Sequence, residues 1–496
     1  MKHVSKLLAI IVFCLFLPAH SRSQSMDEMM RRLSQIQRQT MSEVGQQQQK
    51  VYQRYYDLIG KPWTETTGEN PLESPLDHDT PISPIPSDES CTASSPNELF
   101  KASVFHSRPL TDDGMKPKDP VIMDDGQQDD MLITILSNGY EVEIRFPQNG
   151  KVHLSGTTEG DVADAWEKME SIRYTNLLKD LSGLRKYLKM SDWSIVQAIE
   201  QLTKKVYGPE SHSGAVLTEA FLLNKLGYLI GLARSDDGKL HKLLATDMGI
   251  LRYPSYRIDG HNYYLFEEDS PKRLSIVNLG SNGETPLRMQ MSNEEGFHPS
   301  YARSRRYASR NHPSISVEVR SDLSRMKHYE TYPLCFDGED VLSAFYYHAQ
   351  TPLSDDIKSA VYPVLHRALQ EKSETEAVNM LLNFVQTAFT YEYDKVVWGK
   401  ERYFYADEIW CYDRSDCEDR AILFSNLVRD LIGLKVALVY WPGHLSCAVC
   451  FNSVVEGAHF TIDGKRYVSC DPTFIGSGAG AIMDAVKNLP ATLIPL

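Results

Sequence analysis

Residues 416–450 read DCEDRAILFSNLVRDLIGLKVALVYWPGHLSCAVC, and this stretch decides the fold of the last third of the chain. Ser415 and Asp416 are residue types that accept hydrogen bonds from the first N–H groups of a helix, so we expect a helix to begin there. Apolar residues recur through it at helical spacing, and Gly433 is the expected cap after about Ile432. The alternation that follows predicts strands at 436–440, 445–451, 460–462 and 467–470.

Three side chains in this region have the chemistry of a nucleophilic site. Cys417 would lie in the first turn of the helix, where the free N–H groups and the helix dipole favour a thiolate. His444 opens a predicted strand, and its imidazole could take the thiol proton. Asp471 follows the last strand and could hold the far ring nitrogen, while the N–H groups of the helix start would bind an oxyanion. Each residue alone also has an ordinary structural role: a packed thiol, a strand histidine and a turn.

Three motifs occur in a fixed order: DCED at 416–419, GH at 443–444 and DPT at 471–473. In this order, on a helix followed by strands, they resemble the transglutaminase-like (papain-fold) superfamily over roughly residues 355–480. More narrowly, the layout resembles exported transglutaminase-like proteins of Bacteroidetes-type bacteria. The resemblance implies an α+β protein whose papain-like domain occupies residues 351–496.

The resemblance also implies acyl transfer or hydrolysis on a peptide, protein or amide substrate through the triad of Cys417, His444 and Asp471. Water as the acceptor would give a peptidase or amidase, and an amine would give a cross-linking enzyme; the sequence leaves both open. The rival function is a non-catalytic binding or scaffold protein of the cell envelope. No complete metal site stands out in the sequence, so we expect no cofactor and no calcium dependence.

An internal repeat is the second feature of the chain. SHSGAVLTEAFLLNKLGY at 211–228 aligns with the helix that begins at Cys417, which sets Ser211 against the cysteine. Further on, YRIDGHNYYLFE sets Glu267 against Asp471, and the histidine position falls near Lys239. We therefore predict that residues 99–270 form a degenerate, non-catalytic second copy, followed by a β-rich connection at 271–350. Coincidental patterning is the alternative.

The N-terminal part predicts export. Residues 1–23 have a positively charged start, a short apolar run and small residues near a cleavage point, as in a secretory signal peptide. The run is too short for a comfortable membrane span, although an uncleaved anchor is the alternative. Residues 26–60 predict a long amphipathic helix that either lies on its own protein or associates with another copy. Residues 61–98 are rich in Pro, Ser, Thr and acids and predict a disordered linker.

Composition limits the function classes. The chain has 496 residues and a formal net charge of -14, so phosphates would be repelled and nucleic acid is excluded as a general partner. Hydrophobic residues make up 42% of the chain, which is enough for two or three domains with real cores. Seven of the eight cysteines would survive removal of the signal peptide. In the periplasm or at the cell surface, an odd number leaves at least one thiol unpaired.

Overall fold

The computed structural model describes residues 63–77, 97–108, 129–209, 211–267, 270–279, 284–338 and 340–496. These residues form helices and several sheets, so the expected α+β class is confirmed. The predicted signal peptide and amphipathic helix lie outside the described residues, as does most of the predicted linker. Within the described part of the chain, no helix combines the length and apolar character that a membrane span requires.

The first lobe is built on a six-stranded sheet with four helices before its central hairpin. The strands, in their order across the sheet, are β1 (Thr64–Thr67), β10 (Arg273–Asn278), β5 (Ile230–Arg234), β6 (Leu240–Ala245), β9 (His261–Tyr264) and β8 (Ser255–Ile258). The helices are α1 (Glu159–Ser171), α2 (Thr175–Leu188), α3 (Asp192–Tyr207) and α4 (His212–Lys225). Helix α4 packs on β5 and β6, which form the centre of the sheet.

The second lobe repeats this plan around another six-stranded sheet. Its strands, in order, are β18 (His459–Ile462), β19 (Lys465–Cys470), β17 (His444–Cys450), β16 (Lys435–Trp441), β20 (Ala491–Pro495) and β2 (Ala102–Val104). Its helices are α7 (Asp355–Leu369), α8 (Glu374–Ala388), the short α9 (Asp394–Val397) and α10 (Cys417–Leu431), with a 3-10 turn at Glu408–Trp410. Helix α10 packs on β16 and β17.

Short paired strands and two helices lie around and between these sheets. They are the hairpin of β3 (Asp130–Ser137) and β4 (Tyr140–Pro147), and the pairs β7 (Gly249–Ile250) with β13 (Cys335–Phe336), β11 (Arg305–Ala308) with β12 (Ser316–Val319), and β14 (Thr390–Tyr391) with β15 (Arg414–Ser415). Helices α5 (Leu323–Thr331) and α6 (Ser343–Gln350) complete the described elements. The β7–β13 pair joins the first lobe to the segment between the lobes.

The two large sheets have the same connectivity. In each, a long helix leads into a central hairpin, the next hairpin extends the sheet on one side, and the last strand extends it on the other. They differ at the edge, where β2 runs parallel to its neighbour and β1 runs antiparallel. The shared connectivity agrees with the hypothesis of two related copies, which stays a prediction.

Local sequence signals located most elements. The Asn-Gly pair at 138–139, between alternating apolar residues, predicts a hairpin turn. This turn joins β3 to β4, and both residues have positive φ (49° and 81°), as a two-residue hairpin turn requires. The four strands predicted after the helix at Cys417 are all present.

Three expectations need correction. The apolar run at 214–230 predicts a helix over its whole length, but α4 ends at Lys225, because Gly227 turns the chain at a φ of 95° before β5. The predicted linker is ordered at 63–77, where β1 pairs with β10 and Trp63 is buried. The region 271–350 is not purely a β connection: β10 belongs to the first sheet, and the region also contains two helices.

Candidate active site

Helix α10 places the cysteine at its first position, as the sequence predicts. Asp416 is the N-cap, and its N–H donates to the Asp419 carboxylate at 3.2 Å, which is one half of a capping box. The face of the helix that packs into the lobe is fully buried, and its residues are Ala421, Ile422, Leu423, Phe424, Leu427 and Val428. The chain leaves the helix through Gly433 at a φ of 79°, so the predicted cap is confirmed. This packing makes the helix start a rigid support for Cys417.

A buried arginine joins the start of α10 to the end of α8. The Arg420 guanidinium donates to the carbonyl oxygens of Phe389 at 2.8 Å and Gln386 at 3.3 Å. It also donates to the Ser415 hydroxyl at 3.3 Å. Burial lowers the pKa of Arg420 to about 10, against the opposing effect of nearby acidic groups such as Asp416. The segment that leads to Cys417 is thereby held to the helix behind it.

The structure pairs His444 with Asp471 at one end of the second sheet and places the Cys417 sulfur against the residue that follows the histidine. His444 Nε2 lies 2.9 Å from Asp471 Oδ2, and both side chains are buried. The Leu445 N–H donates to Cys417 Sγ at 3.4 Å, so the sulfur lies beside the residue that follows the histidine. Among the described residues, the buried His444 Nδ1 has no hydrogen-bond partner. The site therefore has an imidazole paired with Asp471 through one ring nitrogen, while its other nitrogen makes no hydrogen bond to the Cys417 sulfur.

The Asp471 carboxylate is fixed by its own turn. Its Oδ1 accepts from the Thr473 N–H at 2.8 Å, from the Thr473 hydroxyl at 2.6 Å and from the Phe474 N–H at 3.2 Å. Burial alone would raise the pKa of Asp471, but His444 and these donors outweigh it and hold the pKa below its ordinary value. When the ionised carboxylate accepts from His444 Nε2, Nδ1 is the ring nitrogen available to accept a proton.

Gln386 supports this turn from behind. Its side-chain Nε2 donates to the carbonyl oxygens of Asp471 at 3.0 Å and Phe474 at 2.9 Å, and its Oε1 accepts from the Gly476 N–H at 3.2 Å. Its side chain is 1% exposed. From the sequence, Gln386 could line the site or hold an oxyanion, although core packing is the favoured interpretation. The structure gives Gln386 a further role, because the hydrogen bonds of its amide hold the Asp471 turn.

The electrostatic environment of the thiol differs from the expectation. Burial raises the pKa of Cys417 well above its ordinary value, and Asp416 raises it further, while the Leu445 N–H and Glu418 oppose both. The neutral thiol donates to Glu418 Oε2 at 3.2 Å. The predicted stabilisation of a thiolate by the helix start is therefore outweighed by desolvation and by a neighbouring carboxylate.

Four acids beside the cysteine form a compact cluster. Asp394, Glu401, Asp416 and Glu418 each offer an oxygen, and these atoms lie within 4.8 Å of one another. Asp416 Oδ1 and Glu418 Oε1 are buried and have no hydrogen-bond partner among the described residues. Burial raises the pKa of Asp394 to about 9. An all-oxygen set of this kind could hold a hard divalent cation, which the sequence did not indicate because Asp394 and Glu401 lie far from the DCED motif along the chain.

The remaining cysteines and two tryptophans near the motifs are expected from the sequence to serve packing or disulfides, and none belongs to this contact set: Cys411, Cys447, Cys450, Cys470, Trp398 and Trp410. None of the six cysteines in the described ranges forms a disulfide: Cys335, Cys411, Cys417, Cys447, Cys450 and Cys470. Cys447 and Cys470 are cross-strand neighbours in the sheet and are both buried. Trp410 is buried among aromatic rings in the lobe core, as core packing predicts.

The first lobe differs from its sequence alignment at the histidine position. Glu267 pairs with His241, whose Nδ1 lies 3.0 Å from both carboxylate oxygens. Lys239, which the alignment placed there, instead pairs with Asp237 at 3.0 Å. Ser211 is the N-cap of α4 but makes no capping hydrogen bond through its side chain. Sequence reasoning missed His241 because it lies two residues beyond the aligned position.

Comparison with known proteins adds no assignment. No protein-family model matches the chain, and no curated protein matches it either.

Proposed function

We propose that the chain is a thiol-dependent enzyme that transfers or hydrolyses acyl groups of peptide or amide substrates, with Cys417 as the nucleophile. The observation that carries the proposal is the contact set of the second lobe. An ionised Asp471 holds His444 at 2.9 Å, and the sulfur accepts the N–H of the next residue, Leu445, at 3.4 Å. The resemblance of the three motifs to the transglutaminase-like family supports the same chemistry.

In this mechanism the resting thiol is neutral, because burial disfavours the thiolate. The S–H group first turns from Glu418 Oε2, to which it donates in the structure, toward His444 Nδ1. As the sulfur then attacks the carbonyl carbon, the S–C bond forms, the S–H proton passes to His444 Nδ1, and the C=O electron pair moves to oxygen. Asp471 keeps the ring oriented and stabilises the imidazolium. The oxyanion collapses, the C–N bond breaks, and the amine leaves with the proton from His444. Water or a second amine then attacks the thioester with His444 as the base.

The rival function is a non-catalytic binding or scaffold protein of the cell envelope, and burial favours it. Cys417 is 6% exposed and His444 is 0% exposed. A peptide carbonyl reaches the sulfur only after the surrounding segments move, whereas a packed structural thiol needs no such opening. Export to the periplasm or cell surface, and self-association through residues 26–60, stay predictions in either case.

Alkylation of the full chain with iodoacetamide near neutral pH separates the two functions. If the chain is the proposed enzyme, Cys417 should be alkylated, and the rate should fall when His444→Ala removes the base. Peptide mapping identifies the alkylated cysteine, because other thiols also react. His459→Ala is the matched control: this histidine lies on β18 in the same lobe, and its ring is bonded to the Gly457 carbonyl. It should leave the rate unchanged.

Equal Cys417 alkylation in wild type, His444→Ala and His459→Ala would favour the scaffold function. A screen of peptide hydrolysis and amine incorporation that compares wild type with Cys417→Ala then decides between water and an amine as the acceptor. Identical turnover in both proteins contradicts the proposed function.

A further inference from the structure

A polar cleft opens on the first lobe, away from the triad. It has a volume of about 530 Å³, and its walls include His212, His241, Glu267 and Ser235. His212 begins α4, His241 lies in β6, and Glu267 follows β9. His212 is exposed to the cleft, whereas His241 is 4% exposed. Three chain segments thus bring two imidazoles and a carboxylate to one wall.

Both ring nitrogens of His241 have partners on the cleft wall. Nε2 lies 2.9 Å from Ser235 Oγ, and the Ser235 hydroxyl is within reach of the Asp237 carboxylate. Nδ1 lies 3.0 Å from both Glu267 oxygens. When Nε2 donates its hydrogen to Ser235, the Nδ1 lone pair faces the Glu267 carboxylate, and a metal ion between them can accept both.

His212 supplies the third donor. One ligand atom each from His212, His241 and Glu267 lies within 4.8 Å of the others. The rings of His212 and His241 have centroids 6.4 Å apart. Two imidazoles and one carboxylate are a donor set that suits zinc and related first-row ions, with metal–ligand distances of roughly 2.0–2.2 Å. Tetrahedral ligands at that distance are about 3.3 Å apart, so the ligand atoms would close by a small movement.

We propose that His212, His241 and Glu267 bind a divalent transition-metal ion of the zinc class, with the remaining coordination position facing the cleft. The metal takes the place between His241 Nδ1 and Glu267, and the exposed His212 closes over it. Ser235 acts as a positioning residue, because it accepts the Nε2 proton and keeps Nδ1 free for the metal. The first lobe is therefore a metal-binding lobe, and not an inert copy of the second.

Titration of the full chain with zinc chloride after removal of metals by EDTA tests this site. Calorimetry should give one tight site per chain. His212→Ala should weaken or abolish it, and since this side chain is exposed, its loss should not affect folding. Ser235→Ala should weaken binding by roughly 10–100-fold, the range for lost support of a metal-bound histidine. His261→Ala, an exposed histidine on β9 of the same lobe, is the matched control and should bind as wild type does.

Cobalt gives a second readout, because its absorption reports the ligands. Nitrogen and oxygen ligands give d–d bands without the sulfur-to-metal charge-transfer band that bound thiolates produce. Cys417→Ala should bind the metal normally, so this proposal can fail or hold independently of the proposed enzyme. The proposal is overturned by a wild-type protein that binds no metal, in which case a proton joins His241 and Glu267. Equal affinity in His212→Ala, or a thiolate band, overturns it as well.

Discussion

Replacing Gln386 with methionine should destabilise the turn that holds Asp471 in the candidate site. Gln386 is buried, and its amide serves the carbonyl oxygens of Asp471 and Phe474 and the N–H of Gly476. Methionine fills a similar volume but offers no comparable partner. Each of the three backbone groups would lose a buried hydrogen bond at roughly 1 kcal/mol or more, so we expect a loss of about 3 kcal/mol in the free energy of unfolding.

Urea unfolding of wild type and Gln386→Met measures this loss through the midpoint, with the slope unchanged. A loss of 3 kcal/mol is a large part of a typical total of roughly 5–15 kcal/mol, so the shift should be plain. Gln370→Met is the matched control: it makes the same exchange at an exposed position after α7 and should change stability by less than about 0.5 kcal/mol. A Gln386→Met protein as stable as Gln370→Met would refute the hydrogen-bond account of this turn.

Three further predictions concern charge and backbone. His444→Ala leaves the buried Asp471 carboxylate without its imidazole partner, so the free energy of unfolding at pH 7, measured in urea, should fall by about 3 kcal/mol. Because the folded pKa of Asp471 is lowered, its contribution to stability is present above roughly pH 4 and is lost as pH falls further; Asp471→Asn should remove that pH dependence. The pKa of Asp394 is raised by burial to about 9, so stability should fall as pH rises from roughly 4 to 9, and Asp394→Asn, measured in EDTA, should flatten the fall; an unchanged pH profile contradicts this. Gly433→Ala should cost about 1 kcal/mol because of its φ of 79°, whereas Gly183→Ala inside α2, where an added Cβ meets nothing within 4 Å, should stabilise the protein in thermal unfolding.

The burial of Cys417 and of the acids beside it disfavours a thiolate in the resting state. Burial raises the pKa of Asp416 and Glu418, and it also raises the pKa of the thiol between them. A thiolate in this setting would be desolvated, and ionisation of either acid would oppose it further. Under the proposed function, the thiol would therefore pass its proton to His444 during attack and would not rest as a thiolate–imidazolium pair.

Short-range signals in the sequence determined the elements of the second lobe. Asp416 begins the helix because a carboxylate at the N-cap accepts hydrogen bonds from the free N–H groups of the first turn. Gly433 ends it because glycine tolerates positive φ. The alternation of residues along the chain predicts the strand that begins at His444 and the strand that ends just before Asp471. These signals act over a few residues, so the order of Cys417, His444 and Asp471 on a helix start and two strands could be predicted from the chain alone.

Only the tertiary structure decided what surrounds those groups. The contacts of Gln386 with the Asp471 turn, and the approach of Asp394 to Asp416, join residues that are far apart in the chain. Burial, which controls the pKa of Cys417, depends on all the segments that pack over it. In the first lobe, strand register brings His241 to Glu267, and an alignment by spacing missed it by two residues. Spacing along a chain fixes which elements form, whereas desolvation and cross-strand pairing arise only when distant segments pack together.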